Sequence, residues 1–348
     1  MDGKTLKNHI IATLSFFHIF QHPLTHFEIH KFLFQVSEGN FFLSHTMGMM
    51  EELKKEKIIN EKNGFYTLNF RDADFCNSPA HCASCTDAKS CDSALNYAGC
   101  RDAANRVSTD EMVKKRMEIA RISENKYKKA LSIIKILSII PSIKFIGICN
   151  SLSFNNADEK SDIDLFIITE KNKIWRSRLI AAGILKLLRQ RPTAKNSTDK
   201  ICASFFISED NLNLEKISCH PETDIYLLYW AAALIPIYNR EKTYEKFITA
   251  NLWIKKYLPN WQLNIMAKDR TIKERKIFPF ILSSFLCIIA ESSAKKIQLA
   301  VMPDYLKKMA GKNTNVIIND SMLKFHNNDR RIEYYEKWKN IYEHTELK

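Results

Sequence analysis

The amino-acid sequence predicts an α/β (α+β) fold with a central mixed sheet, and three observations support this prediction. Residues 143–208 alternate short apolar runs with amphipathic helical spacing, which is the pattern of an α/β sheet. Residues 5–70 have the spacing of three helices followed by a hairpin. From residue 224 onward the apolar spacing is helical, so we expect a helical C-terminal region with helices over residues 225–236, 243–257, 277–302 and 331–344.

The N-terminal part has the signals of a compact helical unit. Apolar residues are helically spaced over residues 6–20, and Thr25 is the predicted N-cap of a second helix. After a third helix, Asn63-Gly64 separates two short apolar segments, which is a strong hairpin signal. Three helices and a hairpin are typical of the winged helix, so residues 1–70 are predicted to form a winged-helix-like domain.

The third predicted helix of this domain has a composition that bears on nucleic-acid binding. It covers residues 44–57, where acidic side chains are mixed with lysines and arginine is absent. Helices that read bases usually present arginine, asparagine or glutamine. The composition therefore favours an accessory or protein-contacting module over a nucleic-acid reader.

Residues 71–108 are predicted to form a cysteine-rich insertion or linker. The segment has almost no large apolar side chains, so it cannot bury a core of its own. In a reducing compartment its thiols favour metal over disulfides. The candidate ligands of a structural Zn²⁺ are Cys76, Cys82, Cys85, Cys91 and Cys100. An iron–sulfur cluster would use the same thiols, and a flexible insertion without metal is the alternative.

Charge and hydropathy restrict the partners and the location. Lysine and arginine number 52 against 39 aspartates and glutamates, which gives a net charge of +13. Such an excess favours polyanionic partners, namely nucleotides or nucleic acid. No cleavable signal pattern follows the polar N-terminus, and the most apolar stretch, residues 277–290, is short for a membrane span. We expect a cytoplasmic protein without membrane attachment.

Two carboxylates in the central region are the strongest indication of function. Asp162 and Asp164 stand one residue apart at the start of an apolar run, so a strand would project both to the same face. An earlier apolar run, residues 143–148, ends in a polar turn at Asn150-Ser151. Carboxylate oxygens suit Mg²⁺ or Mn²⁺, and such a turn can contact phosphates. The alternative is an ordinary strand edge with solvated acids.

This segment resembles the nucleotidyltransferase superfamily of the DNA polymerase β type. In that family an apolar residue, a glycine and a glycine or serine precede an Asp-x-Asp strand, and Asn150-Ser151 and Asp162-Ile163-Asp164 occupy those positions here. More closely, the chain is similar to uncharacterised prokaryotic nucleotidyltransferase-domain proteins with an N-terminal winged helix. That similarity continues through Trp175 and Arg178 and along two later segments, residues 201–210 and 224–261.

The resemblance implies a Mg²⁺-dependent enzyme that transfers a nucleoside monophosphate from a nucleoside triphosphate to an unidentified acceptor. It implies a nucleotidyltransferase domain over residues 109–222 and a helical region over 223–348. Asp162 and Asp164 would be catalytic and hold the metal, and four residues would contact the nucleotide: Asn150, Ser151, Arg178 and Lys200.

Two positions depart from the family pattern. Asn150 stands where the family has glycine. The expected third acid is missing from the strand predicted at residues 201–207, which offers Ser204, with Glu209 and Asp210 just beyond its end. A degenerate domain that binds nucleotide or nucleic acid as a regulatory module is therefore the alternative function. A glycosyltransferase is a further alternative, because Asp-x-Asp also holds Mn²⁺ there, but the upstream turn argues against it.

Overall fold

The computed structural model describes residues 3–35, 41–70, 108–193, 196–220, 223–273 and 289–346. It divides into two compact units, the first comprising Met1–Arg116 with Glu336–Lys348 and the second Met117–Tyr335. The boundary predicted between residues 222 and 223 does not coincide with a boundary between these units.

The secondary structure of the described residues combines helices with two sheets. The α-helices are α1 (Gly3–His18), α2 (His26–Lys31), α3 (Leu43–Lys55), α4 (Thr109–Leu137), α5 (Asn150–Ser153), α6 (Ile174–Leu187), α7 (Ile225–Ala233), α8 (Thr243–Ala250), α9 (Ile254–Tyr257), α10 (Glu291–Val301), α11 (Asp304–Met309) and α12 (Arg331–Glu346). The strands are β1 (Leu24–Thr25), β2 (Ile59–Lys62), β3 (Phe65–Leu68), β4 (Ile143–Ile148), β5 (Ile163–Thr169), β6 (Ile201–Ser208), β7 (Ile235–Asn239), β8 (Val316–Ile318) and β9 (Met322–Phe325).

The first unit contains α1, α2 and α3 beside a small antiparallel sheet of order β1-β3-β2. Thr25 caps α2 as expected: its side chain accepts from the backbone N–H of Glu28, whose carboxylate accepts from the Thr25 N–H. The predicted hairpin joins β2 to β3, and Asn63 and Gly64 both have positive φ, at 53° and 78°. Two such residues in sequence are what a tight hairpin turn requires.

The second unit is built on a six-stranded mixed sheet of order β7-β4-β5-β6-β9-β8. The central pair β5 and β6 is parallel, and the remaining neighbours are antiparallel. The strands predicted at residues 143–148 and 163–169 are confirmed with those bounds, and the strand predicted at 201–207 extends to Ser208. The mixed α/β class is therefore confirmed.

The two faces of this sheet are packed differently. Ile163, Leu165 and Ile167 of β5 point to one face, where they join apolar side chains of α4, α6 and α10 in a single core. Phe166, which alternates with them, points to the opposite face. There it contacts the rings of Trp230 in α7 and Phe247 in α8, at centroid distances of 5.3 Å and 5.4 Å. The second face is thus closed mainly by aromatic packing.

The C-terminal region is not purely helical, in contrast to the prediction. A helix was expected to continue through Pro236, but α7 ends at Ala233 and residues 235–239 form the edge strand β7. Proline has no N–H to donate, so it is tolerated at the edge of a sheet and not in a helix interior. The strands β8 and β9 also come from this region, and they extend the opposite edge of the sheet.

A second predicted helix, over residues 243–257, is divided into α8 and α9. Asn251 lies between them and is fully buried. Its side-chain amide donates to the backbone oxygens of Phe247 and Leu212, and its side-chain oxygen accepts from the Leu214 N–H. An asparagine that satisfies several backbone groups in this way interrupts the helix.

Two sequence predictions concern residues outside the described ranges. The five cysteines considered for Zn²⁺, namely Cys76, Cys82, Cys85, Cys91 and Cys100, lie there, and so does most of the apolar stretch 277–290. Among the helices that the structure describes, none combines the length and the apolar character needed to cross a bilayer.

Candidate functional site

The candidate site lies at the start of β5, on the aromatic face of the large sheet. Asp162 immediately precedes the strand and Asp164 is its second residue. Both carboxylates point to the face of Phe166, since alternate residues of a strand share a face. One oxygen from each carboxylate and the sulfur of Cys202 all lie within 4.8 Å of one another. We call these three side chains the acid–thiol cluster.

An irregularity in β6 brings Cys202 to this position. Asp164 pairs with Cys202 and Phe166 with Phe205, so β6 contains one more residue than β5 between the two pairs. Without that bulge, counting back from Phe205 would place Ala203 beside Asp164. Bulges of this kind re-aim side chains and are common next to functional sites.

The negative charge of the cluster is not fully compensated by basic side chains of the protein. Within the described part of the chain, no lysine, arginine or histidine nitrogen lies within 4.0 Å of the Asp162 or Asp164 carboxylate. The amine of Lys126 contacts Asp199 at 2.5 Å and the backbone oxygen of Ser161 at 2.7 Å, so its charge attracts Asp162 only from a distance and does not outweigh the effect of burial. A cation from outside the protein would supply the missing compensation.

The protonation of the cluster reflects this imbalance. Burial of the Asp164 carboxylate, followed by the neighbouring charge of Asp162, raises the pKa of Asp164 to about 7. Burial also raises the pKa of Asp162, and burial with the nearby carboxylates raises that of Cys202 well above its ordinary value. All three residues nevertheless remain partly exposed to solvent. A divalent cation there would favour the charged forms of all three groups.

The predicted turn lies directly beside the acids. The N–H of Cys149 donates to the backbone oxygen of Asp164 at 3.2 Å, which holds the turn against β5. Asn150 has φ of 56° and Asn155 has φ of 53°, so both have the left-handed backbone that asparagine adopts more readily than most residues. The Asn150 side chain accepts from the indole N–H of Trp230 at 2.7 Å and also hydrogen-bonds to Asp164. Ser151 follows in α5 and is partly exposed.

The two basic residues predicted to contact nucleotide lie away from the cluster. Arg178 belongs to α6, on the opposite face of the sheet, where its guanidinium lies 4.2 Å from the ring centroid of Phe325 and donates to Gln298. Burial lowers the pKa of Arg178 to about 10. Lys200 directs its amine to the backbone oxygen of Arg189 at 2.8 Å. The structure therefore does not bring either side chain to the acids.

The residues considered as a third acid are also elsewhere. Glu209 and Asp210 lie at the far end of β6, where they pair with Lys144 at 3.4 Å and with Lys171 at 3.6 Å. Ser204 is closer: its hydroxyl contacts the imidazole of His326 at 3.3 Å and also hydrogen-bonds to the Cys202 side chain, but it is not an acid. The third member of the cluster is Cys202, which the sequence patterns alone did not single out.

Comparison with protein-family models, with curated proteins and with solved structures found no match to this chain. The functional argument therefore depends on the site itself. Its two carboxylates fit a hard divalent cation such as Mg²⁺ or Mn²⁺. The thiol fits a softer cation better.

Proposed function

We propose that the chain is a divalent-metal-dependent nucleotidyltransferase that moves a nucleoside monophosphate from a nucleoside triphosphate to an acceptor hydroxyl. The observation that carries this proposal is the uncompensated pair Asp162 and Asp164 beside the turn at Asn150-Ser151. The arrangement strand, turn, short helix and acid-bearing strand supports the resemblance inferred from the sequence.

Each group of the proposed site has a defined task. Asp162 and Asp164 hold Mg²⁺ or Mn²⁺, which neutralises charge on the phosphates when it is bound. The hydroxyl of Ser151 is available to donate to a phosphate oxygen. The side-chain oxygen of Asn150 already accepts from the Trp230 indole N–H, so we assign Asn150 a positioning role. Its hydrogen bonds hold Asp164 and the turn in place. Arg178 and Lys200 have no part in this version of the site.

The reaction needs little covalent participation by the protein. The acceptor oxygen forms a bond to the α-phosphorus while the bond from that phosphorus to the bridging oxygen breaks, and pyrophosphate leaves with the bonding electrons. The acceptor proton passes to solvent or to a carboxylate of the pair.

A specific observation favours a second candidate, a nucleotide-binding regulatory module without turnover. The third acid of the family pattern is replaced by a thiol, and Asn150 has a side chain where the pattern has glycine. In this second candidate function, the first unit would bind the partner that is regulated. Its order of three helices and a hairpin supports the winged-helix interpretation.

One assay distinguishes the two candidates. The purified chain is incubated with Mg²⁺ or Mn²⁺, with each α-labelled nucleoside triphosphate, and with RNA, protein and small-molecule acceptors. The transferase is expected to release pyrophosphate and to label an acceptor. The doubly substituted variant Asp162→Asn/Asp164→Asn should lose both signals, whereas Glu159→Gln, an exposed acid on the preceding loop, should retain them.

The absence of pyrophosphate release from the unsubstituted chain with every acceptor would contradict the transferase. Retained binding of ATP under those conditions would support the regulatory module. Loss of binding as well would contradict both.

A further inference from the structure

The third ligand position of the acid–thiol cluster differs chemically from the other two. Asp162 and Asp164 offer hard oxygen ligands, while Cys202 offers sulfur at the same separation, within 4.8 Å. The strand register fixes this arrangement, since Cys202 pairs with Asp164 across the parallel strands β5 and β6. A cation held by the two carboxylates would therefore have the sulfur within reach.

The surroundings of Cys202 are unusual for a cysteine that only fills space. Structural cysteines are commonly buried as small apolar side chains, and Cys149 of the same site is an example, with 3% of its surface exposed. Cys202 is partly exposed and hydrogen-bonds to Asp164. It is thus a partly exposed thiol beside two carboxylates.

The donor set decides which cations the cluster prefers. Mg²⁺ requires oxygen ligands in a near-octahedral arrangement and holds its waters tightly, so a sulfur ligand contributes little to its binding. Zn²⁺, Co²⁺ and Cd²⁺ accept sulfur together with oxygen, and Zn²⁺ sites with three protein ligands leave a further position for water or substrate. Two carboxylates and one thiolate form a three-ligand set of that kind.

We propose that Cys202 is a direct metal ligand and that it shifts the preference of this site from Mg²⁺ towards thiophilic divalent cations of the Zn²⁺ class. The inference rests on the metal site of the proposed function but not on the transfer reaction, so that each can fail alone. It assigns a cation class to the site that differs from the one implied by the family resemblance.

Cobalt spectroscopy of the full chain tests direct ligation. Co²⁺ bound by a thiolate has a sulfur-to-metal charge-transfer band, and the intensity of that band scales with the number of coordinating thiolates. Three proteins are titrated with Co²⁺: the unsubstituted chain, Cys202→Ser and the matched control Cys149→Ser. The cysteines of residues 71–107 are identical in all three, so their contribution cancels in the comparison.

The expected result is that Cys202→Ser loses the intensity of one thiolate per bound Co²⁺ while Cys149→Ser keeps it. The variant Asp162→Asn/Asp164→Asn should lose the same part of the band, because the three ligands act on one ion. Equal bands for the unsubstituted chain and Cys202→Ser would overturn the proposal, and so would an undiminished band in the doubly substituted variant.

A second measurement does not depend on the band. The dissociation constants of Zn²⁺ and Mg²⁺ are measured by calorimetry for the unsubstituted chain and for Cys202→Asp, with circular dichroism to confirm that both are folded. Restoring an oxygen ligand should weaken Zn²⁺ and strengthen Mg²⁺, and the ratio of the two constants should change at least about tenfold. An unchanged ratio would contradict the proposal even if nucleotidyl transfer is observed, and a changed ratio would support it even if transfer is absent.

Discussion

The second unit contains two clusters of charged groups that are built in opposite ways. One consists of Asp224, Lys324, Asp329 and Arg331, and each of these side chains is at most 6% exposed. Its acids and bases are equal in number, and they are joined at 2.7 Å to 2.9 Å. Arg331 also donates to the backbone oxygen of Ile217. We call this the balanced network.

The acid–thiol cluster is neither fully buried nor balanced in charge. Its side chains are partly exposed, and in the described residues no basic nitrogen lies within 4.0 Å of its two carboxylates. The two clusters therefore differ in burial and in whether their charged groups are paired within the protein. Buried charges that satisfy one another need no partner from outside the protein, whereas the two carboxylates of the acid–thiol cluster have no ion-pair partner among the described residues, and we base the proposed cation site on that difference.

The largest expected effect comes from breaking the balanced network. Arg331→Met removes the cation that contacts both Asp224 and Asp329, which leaves the buried Asp224 carboxylate without its basic partner, while Asp329 keeps only Lys324. We expect the free energy of unfolding to fall by about 3–5 kcal/mol. Urea denaturation followed by circular dichroism measures this change.

The adjacent residue provides the matched control. Arg330 is 45% exposed and pairs with Glu333 on the surface, so Arg330→Met should cost less than about 1 kcal/mol. Similar losses for the two variants would show that the network is no more important than a surface pair.

A substitution in the acid–thiol cluster should raise the free energy of unfolding, in contrast to one in the balanced network. Because Asp164 repels Asp162 and is poorly solvated, Asp164→Asn should stabilise the metal-free chain at pH 8 by on the order of 1–2 kcal/mol. Chelator-treated protein is compared by urea denaturation, with the exposed acid Glu159 changed to Gln as the control. A loss of stability in Asp164→Asn would mean that the carboxylate has a compensating partner in the protein.

The raised pKa of Asp164 also predicts that the free energy of unfolding depends on pH. The pKa of Asp164 is raised from 3.8 to about 7 in the folded chain, so between these values the folded state retains a proton that the unfolded state has released. The free energy of unfolding of metal-free protein should therefore decrease as pH rises from about 4 to about 7, and then level off. Asp164→Asn should flatten this slope, which urea denaturation at a series of pH values would show.

The smallest effect concerns the turn that supports the cluster. Asn150→Ala and Asn150→Gly both remove the acceptor of the Trp230 indole N–H, but only glycine adopts a φ of 56° without strain. The alanine variant should therefore be less stable than the glycine variant by about 1 kcal/mol. Thermal unfolding of the two variants checks the difference. Equal stability of the two variants would indicate that residue 150 does not need a left-handed backbone conformation in this turn.

The local parts of this arrangement could be predicted from the sequence. The bounds of β4 and β5, the cap at Thr25 and the turn at Asn150 follow from hydrophobic pattern and turn chemistry, which act over a few residues. The position of Cys202 could not be predicted in the same way. It depends on a bulge in β6 relative to a strand almost forty residues earlier, and the hydrophobic pattern of Ile201–Ser208 does not contain that information.

The same limit explains the errors in the C-terminal region. Residues 235–239 are apolar enough for either a helix or a strand, and only the free edge of β4 decides in favour of β7. The resemblance implied that Arg178 contacts the nucleotide, but the packing of α6 places it on the other face of the sheet. Which face a helix covers is a property of the assembled sheet.

The central claim is that the acid–thiol cluster binds a divalent cation. The most direct test is anomalous diffraction from crystals of the chain grown with Mn²⁺ and a non-hydrolysable nucleoside triphosphate. We expect an anomalous peak between the Asp162 and Asp164 carboxylates, with the sulfur of Cys202 in contact, and no such peak in Asp162→Asn/Asp164→Asn. Nucleotide bound with Mn²⁺ at any other place, and no peak between these carboxylates, would contradict it.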